Sequence, residues 1–219
     1  MTLGIRPTRP ETGYGYIQLG PVAGPGFPGL HRVRRFVEKP DLGRARRFLR
    51  QGGFLWNAGI FIWTARAILE EIAACAPDVA AALAPLRAAK RGMPPPRVLA
   101  AAYRKAPSKG MDVAVMEKSR RVWTLPVSLR WSDVGTWASL ACELGLGAGG
   151  NVTLGGPALF EESEGNLVWS EKRLIVLFGV EGLVVVDDGD SLLVARLSRS
   201  GDLRRLVEAL RARGREDLT

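Results

Sequence analysis

The chain has 219 residues, of which 47% are hydrophobic and 24% are charged. This is an ordinary globular composition, long enough for one large domain or two modest ones, and it excludes a fibrous or disordered protein. No uncharged apolar run reaches the roughly 18 residues of a membrane span, and the first residues lack the plan of a signal peptide. We therefore expect a cytoplasmic protein with no membrane partner.

The charge is unevenly distributed along the chain. The whole sequence carries a net charge of +9, which divides into +12 for residues 1–150 and −3 for residues 151–219. A basic region of this kind favours anionic partners, which include nucleic acids, phosphorylated metabolites and membrane surfaces. Composition alone does not choose among the three.

The hydrophobic pattern of the first 145 residues mixes helices and strands, which is typical of an α/β fold. A short strand with glycines at both ends is predicted over 13–20, and a strand covered on both faces is predicted over Phe54–Trp63. Asp41 is the predicted N-cap of a helix that runs through Arg50 and stops at Gly52. The other predicted elements are the strands His31–Lys39 and Val122–Leu129 and the helices Ala65–Ala76, Asp78–Lys90, Arg97–Arg104, Asp112–Lys118 and Thr136–Leu144.

A glycine-rich stretch over 145–150 is the predicted domain boundary, which gives one domain over 1–147 and a second over 148–219. Beyond it the pattern changes to short β-type segments. These are Asn166–Trp169, Leu174–Phe178, Leu183–Val186 and Leu192–Leu197, and an amphipathic helix, Asp202–Arg213, follows them.

Two strings place glycines or charged residues at the ends of predicted strands. In Pro10–Tyr16, glycines flank tyrosines. Such glycines let the backbone approach a ligand closely; the alternative is a plain turn into a strand. In Phe36–Pro40, Glu38 and Lys39 end a strand at the sheet edge where α/β folds bind ligands. Glu38 could accept hydrogen bonds from hydroxyls and Lys39 could pair with a phosphate; the alternative is a solvated strand end.

Two further strings interrupt apolar patterns with a polar side chain. In Trp56–Phe61, Asn57 breaks a buried run, so its amide is satisfied either by the backbone or by a polar ligand. In Trp131–Trp137, Asp133 lies between a strand and a helix. It is either the N-cap of that helix or a carboxylate ligand for Mg²⁺, which takes one or two carboxylates together with phosphate oxygens and water.

Taken together and in order, five strings resemble the sugar-nucleotide pyrophosphorylases, and specifically the bacterial mannose-1-phosphate guanylyltransferases. They lie between Gly4 and Trp137 and are GIRPTRPETGYGYI, RFVEKP, WNAGIFIW, DVAVMEKS and WSDVGTW. The segment LVVVDDGDSLLV, which begins at Leu183, resembles the C-terminal region of the same family. The resemblance implies part of a Rossmann-like, GT-A-type mixed sheet with helices, followed by a small β-rich domain similar to a left-handed β-helix.

The resemblance also implies a reaction in which mannose 1-phosphate and GTP give GDP-mannose and pyrophosphate, with Mg²⁺. The sugar phosphate is its own nucleophile, so the protein mainly positions two polyanions and neutralises charge. By motif, Gly15 would contact the sugar through its backbone, and Glu38 and Asn57 would hydrogen-bond its hydroxyls. The implied catalytic residues are Lys39, which would hold the sugar phosphate, and Asp133, which would ligate Mg²⁺.

The resemblance is incomplete on the nucleotide side. The family's GGxGxRLxP loop, which holds the triphosphate, does not occur in the sequence. We therefore expect an N-terminally truncated chain, either a fragment or a mis-started reading frame, that is inactive alone. The alternatives are a non-catalytic sugar-phosphate-binding or regulatory relative and, from a different class, a basic nucleic-acid-binding protein. No recognised nucleic-acid motif supports the last of these.

Truncation has a structural consequence. The strand Phe54–Trp63 would lose neighbours and keep an uncovered apolar edge, which favours pairing with another chain. We expect a homo-oligomer formed through such an exposed sheet edge or through the C-terminal domain, which is a subunit-contact or packing element in the family.

Overall fold

A computed structural model describes residues 1–87, 92–146 and 150–218 of the chain. The chain divides into two units, Met1–Trp131 and Ser132–Thr219. The predicted domain boundary at 147 and 148 lies outside the described residues, as does the end of the predicted helix Asp78–Lys90. Within the described ranges, no helix has the length and apolar character needed to cross a membrane.

Five strands form the sheet of the first unit: β1 (Thr2–Ile5), β2 (Tyr16–Val22), β3 (His31–Val37), β4 (Phe54–Phe61) and β5 (Trp123–Val127). The sheet closes on itself in the order β1-β4-β2-β3-β5. β1 and β5 pair in parallel, and the other neighbouring strands are antiparallel.

The short strand β1 corrects one expectation. Its four residues show no alternating pattern that would predict a strand, yet Thr2, Gly4 and Ile5 are buried beside β4. Because β2 covers the other side of β4, that strand has a hydrogen-bonded neighbour on each side. The uncovered edge expected for Phe54–Trp63 is therefore wrong, since β1 supplies the neighbour.

The helices of the first unit follow their local signals. The first begins after Asp41, whose side chain accepts a hydrogen bond from the Arg44 backbone N–H at 2.8 Å, and it ends at Gly52, where φ is +69°. This confirms the predicted cap and stop. The helices are α1 (Leu42–Gln51), α2 (Ala65–Cys75), α3 (Pro77–Arg87) and α4 (Pro96–Lys105), and a π-helical turn follows at Asp112–Met116.

Aromatic side chains fill the interior between α1 and the sheet. Phe48 of α1 stacks on Phe54 of β4 with ring centroids 4.2 Å apart, and Tyr16 lies 5.4 Å from Phe48. All three belong to one buried cluster, which also contains Trp56. Burying such rings contributes most of the stability of a small sheet, so this cluster fixes the ends of β2 and β4.

The second unit is rich in short strands. A short helix, α5 (Trp137–Glu143), precedes β6 (Val152–Gly155), β7 (Ala158–Glu161), β8 (Leu167–Ser170), β9 (Ile175–Phe178), β10 (Leu183–Asp187) and β11 (Leu192–Arg196), and α6 (Leu203–Arg211) follows. β6, β8 and β10 are parallel in one sheet with β11 antiparallel at its end, while β7 and β9 pair in parallel in another. The chain thus alternates between two parallel sheets, as in a β-helix.

Candidate active site

Sheet register brings three of the predicted site residues together. Tyr16 of β2 is paired with Val37 of β3 and with Trp56 of β4. Gly15 precedes Tyr16, whereas Glu38 and Asn57 follow the two partners, so antiparallel pairing places all three at the same level of the sheet, with Gly15 just before β2, Glu38 just after β3 and Asn57 within β4. The Asn57 backbone N–H donates to the Gly15 carbonyl at 2.8 Å, which locks this arrangement.

Gly15, Glu38 and Asn57 form the site cluster, and Gly15 is its most crowded position. A Cβ atom added at this position would lie 2.7 Å from Oε2 of Glu38 and 3.2 Å from Cβ of Asn57. The first distance is closer than non-bonded atoms tolerate, so a larger residue would displace the Glu38 carboxylate. The glycine predicted for close approach therefore has a physical requirement in this structure.

Glu38 and Lys39 follow β3, which ends two residues earlier than predicted. The Glu38 backbone N–H donates to Oε1 of Glu117 at 2.9 Å, and Nζ of Lys39 lies 3.6 Å from Oε1 of Glu38. Lys39 has a left-handed backbone, with φ of +43°, and its side chain is 64% exposed. Left-handed non-glycine residues are strained and cluster at functional sites, which agrees with a site at this turn.

The surroundings of the Glu38 carboxyl disfavour its charged form. Burial is the main effect that raises its pKa above the ordinary value, and the neighbouring carboxylates of Asp112 and Glu117 raise the pKa further. The ammonium group of Lys39 opposes this by lowering the same pKa. A ligand that donates hydrogen bonds to Glu38 would stabilise the charged form.

The Asn57 side chain is held at both ends of its amide. Oδ1 accepts a hydrogen bond from the Thr2 hydroxyl at 3.1 Å, and Nδ2 donates to Oδ1 of Asp112 at 3.1 Å. Thr2 is completely buried and Asn57 is 7% exposed. The alternative that the backbone satisfies this amide is therefore incorrect, because its two bonds are to side chains.

Sequence reasoning did not assign roles to Thr2, Asp112 or Glu117. In an α-helix, residues five apart are separated by about 1.4 turns and point to different sides. The π-helical turn instead carries a bond from the Glu117 N–H to the Asp112 carbonyl at 2.9 Å, and both carboxylates then face the cluster. Wide turns of this type occur often at functional sites, but the sequence contained no signal for one.

An aromatic group supports the loop before Gly15. The ring of Tyr14 meets Trp56 edge-on with centroids 5.2 Å apart, and it meets Trp131 with centroids 4.9 Å apart. The Arg9 guanidinium lies 5.4 Å from the centre of the Trp56 ring. Glu11 accepts from Arg9 at 3.2 Å and from the Gly13 N–H at 3.0 Å, which ties the loop together. These contacts orient the backbone that enters the cluster.

Asp133 belongs to the second unit, where its side chain is exposed. It is not the N-cap of α5, because Thr136 holds that position and accepts from the Ser139 N–H at 3.0 Å. Oδ1 of Asp133 accepts instead from the Gly135 N–H at 3.1 Å. A Cβ at Gly135 would lie 2.7 Å from Oδ2, so glycine at that position leaves this oxygen accessible.

Two family profiles match the chain. Residues 1–143 match the nucleotidyl transferase family, and residues 160–210 match the family described as the MannoseP isomerase/GMP-like beta-helix domain. The chain belongs to the nucleotidyl transferase family. Both matches confirm the predicted fold class, an α/β nucleotidyltransferase part followed by a β-helix-like region. Nucleotidyl transferases generally use a divalent metal ion.

Named relatives extend over nearly the whole of this nucleotidyl transferase chain. It is 38% identical over 216 residues to the alginate biosynthesis protein AlgA of Pseudomonas aeruginosa, covering 98% of the chain and 44% of that protein. It is 37% identical over 218 residues to a mannose-1-phosphate guanylyltransferase of Escherichia coli, covering 99% of the chain and 46% of that enzyme. The chain therefore spans less than half the length of these curated relatives.

A solved structure shares the fold. The crystal structure described as mannose-1-phosphate geranyltransferase from Thermus thermophilus is similar with a TM-score of 0.82 and 34% sequence identity. The similarity covers 96% of this nucleotidyl transferase chain and 59% of the Thermus chain.

Proposed function

We propose that this chain carries the sugar-phosphate side of a mannose-1-phosphate guanylyltransferase, which converts mannose 1-phosphate and GTP into GDP-mannose and pyrophosphate. Family membership and the names of the relatives support the proposal. The observation that carries it is the convergence of Gly15, Glu38 and Asn57 at one level of three neighbouring strands. A closely approachable backbone, a carboxylate and an amide suit a ligand rich in hydroxyl groups.

In this reaction an oxygen of the sugar phosphate attacks the α-phosphorus of GTP and pyrophosphate leaves. Since the substrate supplies the nucleophile, the protein has to orient the sugar and balance negative charge. Glu38 and Asn57 would bind sugar hydroxyls, and the Gly15 backbone would border the ring. The exposed ammonium of Lys39, 3.6 Å from Oε1 of Glu38, would hold the phosphate as a point charge.

Asp133 would hold Mg²⁺, which neutralises developing phosphate charge when it is bound. Within the described residues, no group of three or more His, Cys, Asp or Glu side chains could hold a metal by itself. A single carboxylate still fits Mg²⁺, because this ion commonly completes its coordination with phosphate oxygens and water. The accessible Oδ2 of Asp133 satisfies that requirement.

We also propose a cytoplasmic location, where phosphorylated sugars are made.

We propose in addition that the chain self-associates through the second unit. The support for self-association is the apolar outer face of the β7–β9 sheet, where Leu159, Val176 and Phe178 are exposed. Analytical ultracentrifugation of the chain and of Phe178→Glu tests this point. A dimer that dissociates in the variant is expected, and a monomeric chain would contradict it.

Titration calorimetry tests the proposed function directly. The chain is expected to bind mannose 1-phosphate more tightly than it binds mannose or inorganic phosphate, since both the hydroxyl cluster and Lys39 then contribute. Absence of mannose 1-phosphate binding would overturn the proposal. Affinity for duplex DNA that falls steeply with salt and ignores the sugar phosphate would favour the nucleic-acid alternative.

Turnover is a separate measurement. Because GGxGxRLxP does not occur in the 219 residues, we expect little or no GDP-mannose from this chain with GTP and Mg²⁺. Formation of GDP-mannose would contradict that expectation while supporting the assigned reaction.

A further inference from the structure

The Asn57 amide has a defined orientation. Nδ2 of Asn57 donates to Oδ1 of Asp112, and a carboxylate accepts hydrogen bonds but has none to donate, so the amide nitrogen faces it. The amide oxygen then faces the buried Thr2 hydroxyl, which donates to it. A flipped amide would place two oxygens against each other at Asp112 and would lose that bond, whereas the Thr2 hydroxyl could accept as well as donate, so Asp112 decides the orientation.

One amide proton of Asn57 is left over. Nδ2 carries two protons, and among the described residues only Asp112 accepts one of them. Asn57 therefore presents a donor to a ligand, and its carbonyl oxygen is already engaged by Thr2.

The carboxylate of Glu38 offers the opposite chemistry on the other side of Gly15. Oε2 of Glu38 and Cβ of Asn57 lie 2.7 Å and 3.2 Å from the position that a Gly15 Cβ would occupy. The side chain that carries the donor and the acceptor carboxylate thus both lie against Gly15. A hydroxyl group matches this pair, because its oxygen accepts while its proton is donated.

We propose that Asp112 and Thr2 are positioning residues that hold Asn57 as a donor, so that Asn57 and Glu38 together recognise a sugar hydroxyl group. This inference rests on the proposed function. It adds that the site selects a ligand by one hydroxyl that both accepts and donates, and that two residues with no predicted role impose this selection.

Matched variants separate the hydrogen bonds from the bulk of each side chain. Thr2→Val removes the hydroxyl at nearly constant volume, and Thr2→Ser keeps it. Asp112→Ala removes the acceptor, and Asp112→Asn keeps a carbonyl oxygen able to accept from Nδ2. Urea denaturation first establishes that each variant is folded.

Side-chain amide NMR tests the orientation without any ligand. In the unmodified chain, Thr2→Ser and Asp112→Asn, the Asn57 amide proton bonded at residue 112 is expected as a slowly exchanging signal, and the second amide proton should exchange faster. In Thr2→Val and Asp112→Ala the slow signal should exchange at least about tenfold faster, since each variant loses one of the two bonds that hold the amide. Rapid exchange of both amide protons in the unmodified chain would overturn the inference.

Binding of deoxy analogues of mannose 1-phosphate tests recognition. For the unmodified chain, one of the 2-, 3- and 4-deoxy compounds is expected to bind about tenfold more weakly than the parent, the worth of a hydrogen bond. In Thr2→Val and Asp112→Ala this difference should shrink to about twofold or less, whereas the two conservative variants retain it. A purely structural role would weaken all ligands equally.

The outcomes distinguish this inference from the proposed function. If the unmodified chain binds mannose 1-phosphate and all deoxy analogues alike, or if Thr2→Val and Asp112→Ala retain the full deoxy difference, the positioning role is wrong and the proposed function stands. If the unmodified chain does not bind mannose 1-phosphate, both are overturned.

Discussion

Two buried asparagines, one in each unit, use their amides in different ways. Asn166, in the second unit, is completely buried, and its Nδ2 donates to Oδ1 of Asn151 at 2.9 Å and to the Val180 carbonyl at 3.1 Å. Its Oδ1 accepts from the Leu183 N–H at 2.9 Å. Asn57, in the first unit, has two such bonds, and one of its amide protons has no acceptor among the residues that the structure describes. An amide whose protons and oxygen are all hydrogen-bonded stabilises the fold, whereas an amide with a proton left over can bind a ligand.

The same contrast extends to the carboxylates. In the second unit Asp187 is buried against Arg173 at 3.3 Å and accepts from the Gly189 N–H at 3.1 Å, so its charge is compensated within the coil. In the first unit Glu38 has a weak, exposed partner in Lys39 and a carboxylate neighbour in Asp112. A carboxyl such as Glu38, whose pKa is raised by burial and by a neighbouring carboxylate, is held in place at the expense of stability, which is typical of binding sites.

The largest effect is expected for Asn166→Ala. Three side-chain hydrogen bonds disappear and their partly buried partners lose their bonds, so the free energy of unfolding should fall by about 3 kcal/mol. Urea denaturation measures it. Asn57→Ala is the matched control and should lose about 1–2 kcal/mol, because it breaks two bonds. Equal losses in both variants would remove the distinction between the two asparagines.

Lys39→Ala should have the largest effect on binding alone. Removing this cation is expected to weaken mannose 1-phosphate binding by about 1.5–3 kcal/mol, the worth of a hydrogen bond to a charged group. Its side chain is 64% exposed, so the free energy of unfolding should hardly change. Lys105→Ala, an exposed lysine on α4, is the calorimetric control. Similar affinity in both variants would exclude Lys39 from the site.

Gly15→Ala should weaken mannose 1-phosphate binding by about tenfold, because its Cβ would push the Glu38 carboxylate away. Gly13→Ala is a near-neutral control two residues earlier, since a Cβ there would lie 3.4 Å from Oε1 of Glu11. Calorimetry on both variants provides the comparison. If Gly15→Ala retained full affinity, Glu38 would not be needed where the structure places it.

Apart from Asn166 and the two controls for binding, the residues changed in these three tests were marked as site residues by the sequence, and the reason is local. Gly15, Glu38 and Asn57 each lie in a strand that the hydrophobic pattern predicts, and neighbouring antiparallel strands bring such positions together. Helix α1 was equally predictable, because Asp41 and Gly52 act within their own turns.

The rest of the site depends on contacts distant in sequence. Thr2 reaches Asn57 across 55 positions, and only closure of the sheet by β1 brings it there. Asp112 reaches Asn57 over the same separation by way of a π-helical turn. Neither the pairing of an unpatterned four-residue strand nor the wide turn follows from periodicity, so these partners could not be found before the fold was known.

The smallest expected effect is on how the free energy of unfolding changes with pH. Glu38 in the first unit and Asp188 in the second should change it in opposite directions. The raised pKa of Glu38 means that its contribution to stability is present below pH 4.5 and is lost as pH rises through its folded pKa. The Ser191 backbone N–H lowers the pKa of Asp188 below 3.8, so that group adds stability above 3.8, which is lost as pH falls through its folded pKa.

Urea midpoints measured between about pH 3 and pH 7 test this pair. Glu38→Gln should remove a small decline in stability above pH 4.5, and Asp188→Asn should remove a small decline on the acid side. The same pH slope in Glu38→Gln as in the unmodified chain would contradict the burial and charge repulsion assigned to Glu38.

The strand β1 also has a kinetic consequence. It joins β4 and β5, and its register with β5 pairs Thr2 with Thr124, so the sheet closes only when residues more than a hundred positions apart meet. Contacts of such long range form slowly, because a large loop must be ordered before they contribute. Closure is therefore expected late in folding. Thr2 also bonds the Asn57 amide, so this amide is held in place only when β1 joins the sheet. A partly folded chain would therefore contain the other strands before it could select a ligand through Asn57.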